Sequence, residues 1–167
     1  MHPSSYDFVA AQVTRYGPFE RVLEIGSRNI NGSVRDLFED TPFYLGIDVL
    51  PGPGVDRIIH AADFKGEGFT CVVSTNAGEH DPRLPETLKA AWRALVPGGY
   101  LIWTGAGPWF GAHSGVLEQV DLVDGEHYED LTVGKVEGML DGLAWDMLEV
   151  SETPGGMDVT VIARKAH

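Results

Sequence analysis

Val22-Leu23-Glu24-Ile25-Gly26-Ser27-Arg28-Asn29-Ile30-Asn31-Gly32-Ser33 joins a short apolar run, a loop carrying two glycines, and a serine suited to capping a helix. Such a segment predicts a strand, a tight loop and a helix start. In open α/β sheets ligands bind beyond the carboxyl ends of the strands, where a loop of this kind lies. Gly26 lets a ligand approach the backbone, and Gly32 permits tight entry into a helix over 33–38, with Val34, Leu37 and Phe38 on one face. Asp48 follows 22 residues after Gly26, at the end of a second apolar run. A carboxylate there can accept hydrogen bonds from both hydroxyls of a ribose, so a nucleoside is the expected guest. An Asx turn ahead of Pro51 is the alternative use of the same side chain.

The residue types missing from the loop narrow the choice of nucleoside. A dinucleotide site requires G-x-G-x-x-G, because the pyrophosphate must touch backbone amides at a helix start. Here Arg28 stands two residues after Gly26. Glu24 would repel a pyrophosphate and attract a cationic ammonium group. An acidic first loop with a ribose-binding acid therefore favours S-adenosyl-L-methionine over NAD.

Outward from this segment, β-branched runs alternate with helical stretches, which predicts a mostly parallel sheet with helices on both faces. Tyr6 to Tyr16 reads as a helix stopped at Gly17-Pro18, and Arg21 to Ile25 as the first strand. Strands are expected at 43–49, 57–60, 70–74 and 100–104, with a helix from Pro85 to the Pro97-Gly98-Gly99 stop. Only Leu50 to Asp56 separates the second and third strands, shorter than the dozen residues a parallel crossover normally takes. Either the crossover lacks its helix or the third strand lies elsewhere. Gly105 to Asp130 is Gly-rich and aromatic and reads as a loop over the sheet edge. Thr132 caps an expected helix carrying Val133, Val136, Met139 and Leu140. The runs 143–150 and 157–163 flank Thr153-Pro154-Gly155-Gly156, a turn short enough to force an antiparallel pair.

Five segments in this order resemble those of the class I S-adenosylmethionine-dependent methyltransferases, of the type 11-like kind. They are Glu24-Ile25-Gly26-Ser27, Gly46-Ile47-Asp48, Ala62-Asp63-Phe64, Phe69 to Thr75 followed by Glu79-His80, and Leu88 to Trp103. The resemblance implies a Rossmann-like fold and S-adenosyl-L-methionine as cofactor. It implies Glu24, Gly26 and Ser27 at the methionine end, with Asn31 and Gly32 supplying polar contact where the second glycine is missing. Asp48 would hold the ribose, Asp63 and the Phe64 backbone the adenine, and Ser74 and Thr75 would border the cofactor. The activity implied is O- or N-methylation of a small-molecule acceptor; the alternative is a non-catalytic cofactor-binding or partner protein on the same fold.

At 167 residues the chain is expected to form one domain: an N-terminal helix over 1–17, a cofactor-binding core over 18–104, an acceptor-side loop and helix over 105–142, and a terminal hairpin over 143–167. No apolar run is long enough to span a bilayer, and no signal segment is visible at the start, so a soluble cytoplasmic monomer or homodimer is expected. One cysteine, Cys71, excludes intrachain disulfides and cysteine-based zinc frameworks. A formal charge of −13 repels phosphate backbones, so a nucleic-acid partner is not expected. The acids Glu118, Asp121, Asp124, Glu126, Glu129 and Asp130 would rim the acceptor side and favour a neutral or cationic acceptor. Its walls are expected from 6–16 and 105–140, with Trp109, Phe110 and Tyr128 as candidates. Trp92 and Trp103 read as core. His80, His113 and His127 are candidate general bases, because imidazole titrates near neutrality. The six histidines show no zinc-binding spacing, so no metal site is expected.

Overall fold

A computed structural model describes residues 2–117 and 121–167. Glu118 of the expected acidic rim lies outside the described residues. In chain order the elements are helix α1 (Pro3–Tyr16), strands β1 (Arg21–Ile25), β2 (Phe43–Asp48), β3 (Arg57–Ile58) and β4 (Phe69–Thr75), helix α2 (Leu84–Ala94), strand β5 (Leu95–Ala106), helix α3 (Val133–Leu140), and strands β6 (Trp145–Glu152) and β7 (Asp158–Lys165). Short 3-10 turns occupy Arg35–Phe38, Ala61–Asp63 and Gly78–His80.

The seven strands form one sheet in the order β3-β2-β1-β4-β5-β7-β6. The first five are parallel, and β7 runs antiparallel to both β5 and β6. Strand periodicity divides the apolar residues between two cores. Val22, Cys71, Val73, Ile102 and Ile162 face Val9 of α1 and Phe38. Leu23, Val72, Leu101, Trp103, Val161 and Ala163 face Leu88 and Ala91 of α2 and Val136 and Leu140 of α3. Helices thus cover both faces, as the alternating pattern predicts.

Four local expectations are corrected. The helix expected from Ser33 is only the 3-10 turn Arg35–Phe38. Ten residues separate Gly32 from β2, and Pro42 drives Thr41 away from helical backbone, so there is no length for an α-helix. The third strand is confined to Arg57–Ile58, and it pairs parallel with Ile47 and Asp48. The crossover into it therefore lacks a helix, a route made possible by so short a pairing. The Pro97-Gly98-Gly99 segment does not separate α2 from a later strand. Leu95 already pairs with Phe69, and an irregularity absorbs the next residues before Tyr100 meets Cys71. Trp103 is fully buried, whereas Trp92 is half-buried: its indole N–H donates to the Ala144 carbonyl at 3.1 Å, and the Lys165 ammonium sits 4.2 Å above its ring.

Candidate functional site

Sheet order places the loops after β1 and β4 side by side, and these chains diverge to opposite faces. A cavity of about 610 Å³ opens at this point. Its wall runs from Asp48 on β2, across residues 24–28 and 30–32 at the end of β1 and in the loop after it, to residues 74–78 at the end of β4 and beyond, and Trp103 on β5. Gly26 takes φ +72°, and a Cβ there would fall 2.5 Å from the Ala77 side chain, so the two loops can meet only around glycine. The amides of Gly26 and Ser27 donate to the Ile47 carbonyl, which ties the loop to β2.

Asp48 makes the Asx-type turn that its sequence position allowed, and it also lines the cavity. Oδ1 accepts from the Leu50 amide at 2.9 Å, closing an Asx-type turn, and Oδ2 accepts from the Arg28 amide at 3.2 Å. A carboxylate has about four lone-pair sites, so capacity remains toward the cavity. Glu24 and Ser27 are nearly buried, and Glu24 Oε2 and Ser27 Oγ meet no partner among the described residues. Burial pushes the Glu24 carboxyl up to about 7, against the pull of the Tyr44 hydroxyl and the Arg35 guanidinium.

The opposite end of the cavity holds a group with no local sequence signal. His2 precedes α1 and lines the wall, and its Nδ1 lies 2.6 Å from Oδ1 of Asp158 at the start of β7. Asp158 is fully buried and also accepts from Asn76 Nδ2 at 2.8 Å and from the Ser4 hydroxyl. Burial alone would raise this carboxyl, but the three hydrogen bonds hold it below the ordinary aspartate value. An ionised carboxylate only accepts, so the His2 imidazole donates its Nδ1–H to Asp158. Nε2 carries no hydrogen bond among the described residues. Asn76 holds the same cluster from the β4 loop at φ +45°, taking the His2 amide on its side-chain oxygen at 3.3 Å.

No family model matches the sequence, and no curated protein matches it. Solved structures match nearly the whole chain. N-methyltransferase NodS from Bradyrhizobium japonicum WM9, in complex with S-adenosyl-L-homocysteine, aligns with TM-score 0.67 at 14% identity, covering 99% of this chain and 89% of that one. Burkholderia thailandensis 1,6-didemethyltoxoflavin-N1-methyltransferase aligns with TM-score 0.65 at 15% identity, over 99% of this chain and 78% of that one. Haemonchus contortus phosphoethanolamine N-methyltransferase 2 aligns with TM-score 0.66 at 16% identity; 94% of this chain covers 52% of it. The chain has the class I methyltransferase fold.

Within the methyltransferase fold, eight of the ten residues expected at the cofactor line the cavity: Glu24, Gly26, Ser27, Asn31, Gly32, Asp48, Ser74 and Thr75. Asp63 and Phe64 do not. Asp63 is exposed and forms a bidentate ion pair with Arg83 at 2.9 Å, and the Phe64 ring is buried beside Phe69. His60 and Ala61 border the wall there instead, with His60 Nε2 3.2 Å from Asp81. Of the candidate bases, His80 and His113 line the cavity and His127 does not.

Described residues of the long segment after β5 border the cavity. Phe110, His113, Ser114, Gly115, Leu117 and Asp121 line it. Arg28 donates from its guanidinium to the Val116 carbonyl at 3.1 Å, so the side chain that replaces the second glycine latches the cover to the first loop. Glu126 gathers the cover internally, accepting from Ser114, Val116 and Val123. Trp109 points away, 78% exposed, and Tyr128 packs behind His80 rather than on the wall. Residues 6–16 do not reach the cavity; α1 is spent on the sheet, and His2 is its contribution.

Proposed function

We propose that this chain transfers a methyl group from S-adenosyl-L-methionine to an oxygen or nitrogen of a small-molecule acceptor. The observation carrying the reading is the cavity wall: a ribose-competent Asp48 at one end, unpartnered buried oxygens on Glu24 and Ser27, and the oriented His2 imidazole at the other end. These residues fit the cofactor. Asp48 retains lone pairs for ribose hydroxyls, and the Glu24 carboxylate suits an ammonium group. Arg28, whose amide is already held by Asp48, leaves no pyrophosphate cradle. Bound there, S-adenosyl-L-methionine supplies a methyl group activated by a sulfonium.

The protein's own tasks are to align the acceptor and exclude water. Ser74, Thr75 and the loop 26–32 would hold the cofactor, with His60 and Ala61 bordering its base. The cover, latched by Arg28, closes the cavity from above. His2 Nε2 would take the proton from an acceptor hydroxyl or ammonium, while Asp158 steadies the imidazolium that forms. Among the described acids expected at the rim, only Asp121 lines the cavity, and Glu129 is paired with Lys135 at 2.9 Å. The wall therefore suits a neutral or singly cationic acceptor. The Burkholderia neighbour binds S-adenosylhomocysteine together with 1,6-didemethyltoxoflavin, which accords with an acceptor of small-molecule size.

Asp48→Ala is the direct test of the cofactor end. Loss of hydrogen bonds to a charged group should weaken S-adenosylhomocysteine binding by about 1.5–3 kcal/mol, roughly 10- to 150-fold. Unchanged affinity in a folded Asp48→Ala protein would remove Asp48 from the site.

A further inference from the structure

Next to Phe110 the fold brings the adjacent pair Glu79-His80 against His113, 33 positions on from His80. His80 sits in the turn after β4, and His113 lies in the cover. Their Nε2 atoms are 3.3 Å apart with the rings edge to face. Glu79 stands behind them, fully buried, and one of its carboxylate oxygens lies within 4.8 Å of a ring nitrogen of each histidine. Among the described residues neither Glu79 oxygen meets a hydrogen-bond partner of good geometry, and neither does His80 Nδ1 or the hydroxyl of the adjoining Tyr128. Unpartnered buried polar atoms are rare, and four at one place call for a physical account.

The ring orientations sharpen the case. His113 Nδ1 lies 3.0 Å from the Gly111 carbonyl and donates to it, so Nε2 is the ring's remaining nitrogen, and it faces His80. A carbonyl receiving the distal N–H is the usual support of a metal-bound imidazole. Two such nitrogens around one tetrahedral zinc stand about 3.4 Å apart, close to the separation seen. The Glu79 oxygen has to close by at most about 1.4 Å to complete the set.

We propose that Glu79, His80 and His113 bind a first-row divalent cation, zinc foremost, at the acceptor end of the cavity. Two imidazoles and one carboxylate are the donor set of three-ligand catalytic zinc sites, which keep the remaining position open. Both histidines line the cavity, so that position faces the acceptor. A hydroxyl or carbonyl oxygen of the acceptor would bind there, across Phe110 from His2; this role rests on the methyl-transfer reading, while the site itself does not. The ion would also bridge the cover to the β4 turn.

The test is titration of chelator-treated full-length protein with Zn²⁺ and with Co²⁺, in the absence of cofactor. One equivalent should bind at micromolar concentration or tighter, Co²⁺ giving visible bands without thiolate charge transfer. His113→Ala and Glu79→Gln should each weaken binding at least about tenfold, with His127→Ala unaffected. His113 is only half-buried, so its variant carries the test should Glu79→Gln fail to fold. Absence of stoichiometric binding, or binding undiminished in His113→Ala, would overturn the proposal. Calorimetry of the metal-free protein with S-adenosylhomocysteine reads the methyl-transfer assignment separately.

Discussion

Asp158→Ala is expected to destabilise the protein by about 3–5 kcal/mol, the scale for removing one partner from a buried charged cluster. The carboxylate has no exposure and receives His2, Ser4 and Asn76, so its loss leaves three donors unpaired around a cavity. Asp158→Asn, which keeps an acceptor oxygen, should cost less. The effect carries a pH signature. The folded carboxyl lies below its unfolded value, so its contribution is fully present above about pH 4 and is lost as pH falls through the lower folded value. Urea denaturation of the parent should therefore show a loss of stability on the acid side that is shallower in Asp158→Ala. Equal stability of the two proteins at neutral pH would dissolve the cluster as a structural element.

His2→Ala is expected to lower kcat by about 10²- to 10⁴-fold with an acceptor that must lose a proton, the usual contribution of a positioned general base. S-adenosylhomocysteine affinity should stay unchanged, because Asp48 and the first loop lie at the other end of the cavity. A loss confined to cofactor affinity, with kcat intact, would contradict the assignment. An acceptor already carrying a free lone pair should show little dependence on His2, so comparing a phenol with a neutral amine separates proton removal from mere positioning.

The features legible in the sequence are those with a local cause. Val22 to Ile25 and Phe69 to Thr75 announce themselves as strands by apolar content, and both lie where expected. The side chain of Thr132 accepts from the Lys135 amide as a cap should, and the short turn at 153–156 makes β6 and β7 antiparallel. The first loop and Asp48 were legible because strand ends and glycines fix their place along the chain. What was hidden depends on distance. His2 and Asp158 are 156 positions apart, and no periodicity links them. Glu79 and His80 were visible as a pair, but His113 joins them only because the cover folds back across the cavity. Asp63, which the resemblance implies at the adenine, does not line the cavity and pairs with the Arg83 guanidinium, 20 positions on.

Calorimetric titration of the protein with S-adenosylhomocysteine and, in parallel, with NAD tests the central assignment most directly. One-to-one binding of S-adenosylhomocysteine, weakened in Asp48→Ala, is expected, with no heat from NAD. Binding of NAD in preference, or no binding of S-adenosylhomocysteine to the folded protein, would contradict it.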